Sequence, residues 1–457
     1  MNHNVYTILI IAVLLAACNG AGQKKRADGN ADGNNADTLA DDSLLTLVQQ
    51  QTFQYFWDGA EPVSGLARER IHIDGEYPQN DQEVVTIGGS GFGLMAIIAA
   101  MERGFITRQA GADRFEKVLD YLAKADRFHG AWPHWLDGPT GKAKPFSKND
   151  NGGDLVETAF MAQALICVRE YFQEGNEQEK QLAARADALW KDIEWDWYRQ
   201  GGQNVLYWHW SPTAGWAANH PIRGYDECLI TYVLAASSPT HGVPAEVYHE
   251  GWARGGAITT DAERYGHPII LKHNVPDSNG VGPLFWSHYS YLGLDPRGLK
   301  DQYADYWELN RNHALIQYDY AIDNPNGYKG YGSPAGGWGF TASYSVNGYA
   351  AHNPDNDRGV ISPTAALSSF PYTPEHSMEM IRYLYETLGD RVWGKYGFYD
   401  AYSETENWYP QRYLAIDQGP VPVMIENHRT GLLWDLFMGA PEIQAGLRKL
   451  GFESPKL

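Results

Sequence analysis

Residues 147–172 read SKNDNGGDLVETAFMAQALICVREYF, and the change of pattern inside this stretch decides the fold. Up to Gly153 it is a polar, glycine-bearing loop; from Leu155 to Phe172 apolar residues recur at helical spacing. Asp154 stands where a helix N-cap belongs, and Glu157 three places on is its capping-box partner. The same switch from loop to apolar helix repeats along the chain. Leu44, Leu45, Val48, Phe53, Phe56 and Trp57 form one stripe, and residues 93–101 and 115–128 form others. Further helices are expected over 177–197, 225–236, 246–252, 302–320, 362–370, 374–388, 421–437 and 442–450, roughly twelve in all.

Between alternate pairs of helices lie long connections rich in Gly, Trp and Tyr, at 130–153, 201–224, 254–298 and 323–361. Loops of this length inside a domain are uncommon unless they work. Helical hairpins joined alternately by short and long loops predict an all-α chain, an (α/α)6 toroid whose long loops form a cleft at one end. No fixed-period repeat points to a solenoid. Residues 204–209 are candidates for short strands within a loop.

The chain has 457 residues, with 36 basic against 56 acidic side chains and a net charge of −20. That charge repels phosphate backbones and argues against a nucleic-acid partner. Tyr (29) and Trp (16) each outnumber Phe (15), a preference for rings with a polar handle, which suits amphipathic ligands such as sugars. At the N-terminus, a short apolar run ends in Leu15-Ala16-Ala17-Cys18. It is too short to span a bilayer and resembles a lipobox, with Cys18 lipidated after cleavage. The expected organisation is a signal peptide over 1–17, a flexible tether over 18–41 and one catalytic domain over 42–457, anchored by lipid in the periplasm. Cys167 and Cys228 fall in apolar helical patterns and are expected to be free. A monomer is expected.

Three clusters carry candidate chemistry. In the first, capping accounts for Asp154 and Glu157 but not for Asp150, which stands beside glycines near an aromatic loop carrying Trp132, His134 and Trp135. In the second, Gly224-Tyr225-Asp226-Glu227-Cys228 enters a helix after a loop containing Trp208, His209, Trp210 and Trp216. One acid there serves the helix dipole, while apolar rings around Glu227 would raise its pKa as a general acid requires. The third holds Asp417, then Glu426 and Arg429 at i, i+3 spacing, where an ion pair and a catalytic role weigh equally. Gly88-Gly89-Ser90-Gly91-Phe92-Gly93 follows strand-like residues 84–87 yet fits neither a dinucleotide fingerprint nor a nucleophile elbow. Asn353-Pro354-Asp355-Asn356-Asp357 opens like a calcium loop but has Arg358 and Thr364 at the positions that need Gly and Glu. No HExxH is present, so neither a metal nor another cofactor is expected.

Taken in order, Gly91-Phe92-Gly93-Leu94, the Asp150 to Glu157 cluster, Gly224 to Glu227, Tyr396-Gly397-Phe398-Tyr399-Asp400-Ala401 and the Asp417 to Arg429 segment resemble glycoside hydrolase family 144, the glycoamylase-like proteins. The resemblance spans about residues 42–452 and implies the (α/α)6 toroid, inverting hydrolysis of β-1,2-glucans, and sophorose release from chain ends, with endo action as the alternative. It maps the catalytic acids onto Glu227, Asp150 and Asp154. In such chemistry a protonated carboxyl donates to the leaving oxygen while an ionised one activates water from the opposite face. Glu227 is the expected acid, Asp154 the base, Asp150 the orienting group and Glu426 the reserve. Glu157, Trp132, His134, Trp208, His209, Trp216, Trp286 and Glu426 are the expected substrate-binding residues. Two other readings are a non-catalytic glycan-binding lipoprotein and a lyase using Tyr289 and His288, the latter disfavoured by the negative charge.

Overall fold

A computed structural model describes residues 39–457, apart from residue 278 and residues 333–335, and gives only the backbone of 78–80. The expected signal peptide, Cys18 and most of the tether lie outside the described residues. Asp41–Leu457 forms one unit, and it is mostly helical.

The helices fall into two kinds. α2 (Ile87–Glu102), α4 (Leu155–Phe172) and α6 (Leu229–Ser237) are buried on nearly every side. α3 (Arg108–Leu122) and α5 (Glu177–Lys191) bury one stripe and expose the rest. Hydrophobicity on all sides marks an inner helix, amphipathicity an outer one. α1 (Asp41–Trp57) packs on α2, α2 on α4 and α4 on α6, while α3 and α5 pack behind them. After α7 (Tyr306–Asp323), α8 (Pro363–Ser368) leads to α9 (Pro374–Arg382), and the short α10 (Ala415–Gln418) to α11 (Pro420–Arg429). α11 packs on both α8 and α2. α12 (Leu432–Gly439) and α13 (Pro441–Lys449) close the chain, α13 against α6.

Several boundaries differ from the periodicity for local reasons. α2 starts six residues before the expected 93 and takes in the whole glycine run. Those glycines let helices approach: a Cβ on Gly91 would lie 2.7 Å from the Phe160 carbonyl oxygen of α4. The single helix expected over 421–437 is two, parted at Gly431, whose φ of 76° is left-handed. The helix expected from 225 begins only at Leu229, leaving Tyr225–Cys228 as the junction before it.

Short strand pairs lead into the inner helices. Val84–Thr86 pairs with Trp135–Asp137 and runs into α2; Gly153–Asp154 pairs with His209–Trp210 and runs into α4; Arg70–His72 pairs with Arg412–Leu414, which runs into α10. Only His209 of the candidate strand 204–209 is in regular pairing. Cys167 and Cys228 are buried free thiols.

Candidate active site

The strand preceding α4 fixes the first cluster. Asp154 has extended backbone angles and caps the helix: its Oδ1 accepts from the Val156 and Glu157 N–H groups at 3.0 and 2.9 Å. The capping box does not close. The Asp154 N–H donates instead to the Trp132 carbonyl (2.9 Å), and the Glu157 carboxylate accepts from the Gly88 N–H at the start of α2 (2.7 Å). Gly88 permits this, since a Cβ there would lie 2.5 Å from Glu157 Oε2. The contact also places the N-terminal ends of α2 and α4 side by side.

The second oxygen of Asp154 faces two imidazoles. His134 Nδ1 lies 2.9 Å from Oδ2 and His209 Nδ1 3.8 Å from it; His209 Nδ1 is also 3.4 Å from Asp150 Oδ1. Burial opposes a charge on His134, but Glu157 and the bond to Asp154 overcome it and raise its pKa to about 10. His209 rises likewise, against burial, through Asp150 and Asp154. Burial would raise Asp154, yet the His134 bond and the His209 charge hold it below the ordinary carboxylate value. Glu157 goes the other way, to about 7, because burial and the Asp154 charge outweigh His134. Donor atoms of His134, Asp150 and Asp154 lie within 4.8 Å of one another, and the two imidazoles with the two carboxyls form one proton-sharing network.

At the second junction Asp226 takes the local duties. It accepts from the Cys228 N–H (3.0 Å) and from Asn274 Nδ2 (2.9 Å), with burial lifting it to about 6. Glu227 has no ion-pair partner among the described residues. Burial pushes its pKa well above the ordinary value, and the negative charges of Asp226, Glu157 and Asp154 push it further. That last contribution ties the α6 junction electrostatically to the α4 junction.

Two neighbouring cavities lie at the α4 junction. One, of about 360 Å³, is walled by Glu157, His134, Trp135, Phe146, Phe285, Tyr289, Tyr344 and Tyr349. The second, more open and of about 640 Å³, lies over Asp150, Trp208, His209, Asn219 and His220, and shares His134 and Phe146 with the first. Trp135 Nε1 and Trp208 Nε1 are buried without a hydrogen-bond partner among the described residues. Such donors in a cavity wall suit the hydroxyls of a polar ligand.

Of the expected site residues, Asp150, Glu157, His134, Trp208 and His209 thus line the cavities, and Asp154 lies bonded to His134. Glu227, partly accessible, is not among the residues walling either one. Three expected binding rings sit elsewhere. Trp132 is fully buried, its Nε1 bonded to the Leu122 carbonyl. Trp286 packs in the core against Tyr225 and His273. Trp216 packs against Trp197, Tyr198 and Tyr207. Glu426 is a correction: it is buried in a two-pronged ion pair with Arg103 (2.6 and 3.1 Å), braced by Gln49 and Thr430. Arg429 turns from it to Asp42 (2.7 Å) and Gln49 (3.0 Å). In the calcium-like segment, Asp355 pairs with Arg264 and Asp357 accepts from Tyr320 and Tyr331.

Sequence reasoning named two carboxyls, Asp417 and Asp400, within its motifs but gave neither a role; both lie behind the first cavity. Asp417 accepts from the Tyr289 hydroxyl (3.2 Å) and Asp400 from the Tyr344 N–H (2.8 Å), both donors belonging to cavity-wall residues. Burial and the neighbouring Asp400 raise Asp417 well above its ordinary value; burial lifts Asp400 to about 6 against its bond with Asp417. Each motif carried its Asp, but only packing pairs them. The Tyr289 hydroxyl is raised by burial and by Asp417, and His288 is lowered to about 3 by burial, the opposite of what a lyase's phenolate base would need.

The Glycoamylase family model ("Putative glucoamylase") matches residues 219–441. The chain is 65% identical to an endo-β-1,2-glucanase of Chitinophaga pinensis solved with sophorotriose and glucose, covering 92% of this chain and 100% of that one with a TM-score of 0.90. The chain belongs to glycoside hydrolase family 144. A family relative from Parabacteroides distasonis, an exo β-1,2-glucooligosaccharide sophorohydrolase (non-reducing end), is 46% identical over 90% of this chain, which spans 58% of that relative's length. A β-1,2-glucanase structure from the same organism is 44% identical with a TM-score of 0.85, covering 91% of this chain and 60% of that one.

Proposed function

We propose that the protein hydrolyses β-1,2-glucosidic bonds of β-1,2-glucans and their oligosaccharides with inversion, releasing sophorose. The observation that carries this reading is the convergence of Asp150, His209, His134 and Glu157 on two adjoining cavities, beside a helix start at which burial raises Glu227. A raised carboxyl suits a general acid. Glu227 is the proton donor to the leaving oxygen. Asp154 has Oδ1 on two backbone N–H groups and Oδ2 on His134, so its part is to hold the imidazoles. Asp150, which faces the open cavity beside His209, is the better placed of the two to activate water, a change from the role expected of Asp154. With inversion, the acid and base carboxyls lie roughly 6.5 to 9.5 Å apart around a water molecule. The buried helices α2, α4, α6, α8 and α11 are read as five of the six inner helices of an (α/α)6 toroid with the cavities in a cleft at one end.

Similarity to both an exo-acting and an endo-acting family member leaves the mode of attack to experiment. Release from chain ends is the first reading; internal cleavage is the second, favoured by the higher identity to the endo-glucanase. The protein is further proposed to act as a monomer, lipid-anchored through Cys18 in the periplasm. Product analysis over time on β-1,2-glucan tests the reaction: sophorose alone from the outset means end attack, a ladder of oligosaccharides internal attack. Proton NMR of the first anomer formed tests inversion, and absence of any cleavage overturns the proposal.

A further inference from the structure

Trp197 is the only tryptophan among the exposed large hydrophobic residues described, 41% accessible where most of the others are buried or half-buried. It stands on the turn after α5, outside both cavities. Its ring stacks on His129 (centroids 3.7 Å, planes 14° apart), with Trp210 at 6.2 Å and Trp216 at 6.5 Å. His129 holds φ at 51°, a left-handed conformation unfavourable for a side chain with a Cβ, and its Nδ1 is 3.0 Å from Glu194 Oε2. The backbone is therefore held in a costly form that keeps a polar ring under Trp197.

This patch is joined to the active-site region. The Asn219 N–H donates to the Trp216 carbonyl (2.9 Å), and Asn219 and His220 wall the open cavity. One turn thus has its first residue in the aromatic cluster and its last two at the cavity. One exposed indole, with Asp192, Asp196 and Gln200 nearby, is far too small for a protein interface of about 1,200–2,000 Å². It matches the apolar C–H face and hydroxyl rim of a pyranose. The net charge of −20 selects against an acidic polysaccharide.

We infer that Trp197, backed by His129, Trp210 and Trp216, is a second carbohydrate-binding platform that holds a neutral glucan chain where it passes beyond the cavity over Asn219 and His220. The inference rests on the reading of the protein as a β-1,2-glucan hydrolase and adds a chain-length dependence that the cavities alone do not supply. The test compares the full chain with Trp197→Ala and Trp197→Phe on long β-1,2-glucan and on the shortest oligosaccharide cleaved. Retention in gels containing the polymer is measured for both substitutions in a Glu227→Gln background, and thermal melting checks folding. The expected result for Trp197→Ala is a roughly three- to tenfold higher KM and weaker retention on the polymer, with kcat/KM on the short substrate unchanged and Trp197→Phe largely restoring binding. Equal loss on both substrates, or none on either, in a folded Trp197→Ala overturns the platform while leaving the hydrolase reading intact. A wild-type chain that neither cleaves nor retains β-1,2-glucan overturns both.

Discussion

The junctions entering α4 and α6 are nearly the same sentence in sequence, a loop rich in Gly and aromatics followed by acids and an apolar helix, yet they hold protons in opposite ways. At α4, a strand pair carries His209 to Asp150 and Asp154, and the aromatic loop carries His134 to the same place. The added positive charge keeps Asp154 ionised in complete burial. At α6, Asp226 occupies the Asn274 amide and the Cys228 N–H, and Glu227 is left among negative charges with no cation paired to it among the described residues. The difference lies in what long-range folding delivers to each acid, because desolvation alone raises every carboxyl.

The largest expected break of this contrast is Glu227→Gln, which removes the proton donor while keeping the shape. Reducing-sugar release from β-1,2-glucan falls roughly 10²–10⁴-fold; turnover near wild type would strip Glu227 of its role. Asp150→Asn comes next, with a loss on the order of 10²-fold, mainly in kcat. Asp154→Asn should instead disturb the pH profile as well as the rate, because both imidazoles lose a counter-charge.

His134→Gln sharpens the contrast further. Asp154 loses its main stabilising bond, so the acidic limb of kcat/KM against pH moves upward. A stability signature accompanies it. The folded pKa of His134, about 10, lies above its ordinary value of 6.5, so its contribution is complete below about pH 6.5 and disappears as pH rises through about 10. Asp154 is shifted down, so its share is present above about pH 4 and lost in stronger acid. Melting of wild type against His134→Gln should therefore differ most between about pH 4 and 6.5 and converge near pH 10; a constant difference would contradict the pairing. The smallest effect on catalysis is expected for Glu426→Gln. That change breaks the bond pair to Arg103 and lowers stability by about 1–3 kcal/mol, visible in melting, while kcat on β-1,2-glucan stays close to wild type.

Much of the framework was legible because helices announce themselves locally. The 3.6-residue periodicity of Leu155–Phe172 places α4, and the N-cap at Asp154 needs only the residues beside it. The capping-box partner failed for a non-local reason: Glu157 found a better donor in Gly88, distant in sequence but adjacent in space. Trp132 and Trp208 look alike in sequence, each in an aromatic loop, and only packing sends one into the core and the other to a cavity. Asp400 and Asp417 were present in quoted motifs, but nothing in either motif says that the two carboxyls meet.

The sequence by itself determined the helical alternation, the long aromatic loops, the charge that turns away anionic polymers, and the list of acids from which a site could be built. These follow from periodicity, composition and nearest neighbours along the chain. Tertiary structure alone decided which acid keeps its proton, which tryptophans stay at a surface, and that Glu426 belongs to an ion pair. Proton affinity and exposure are set by desolvation and by charges a few ångströms away in space, and those neighbours come from strands and helices far apart in the chain.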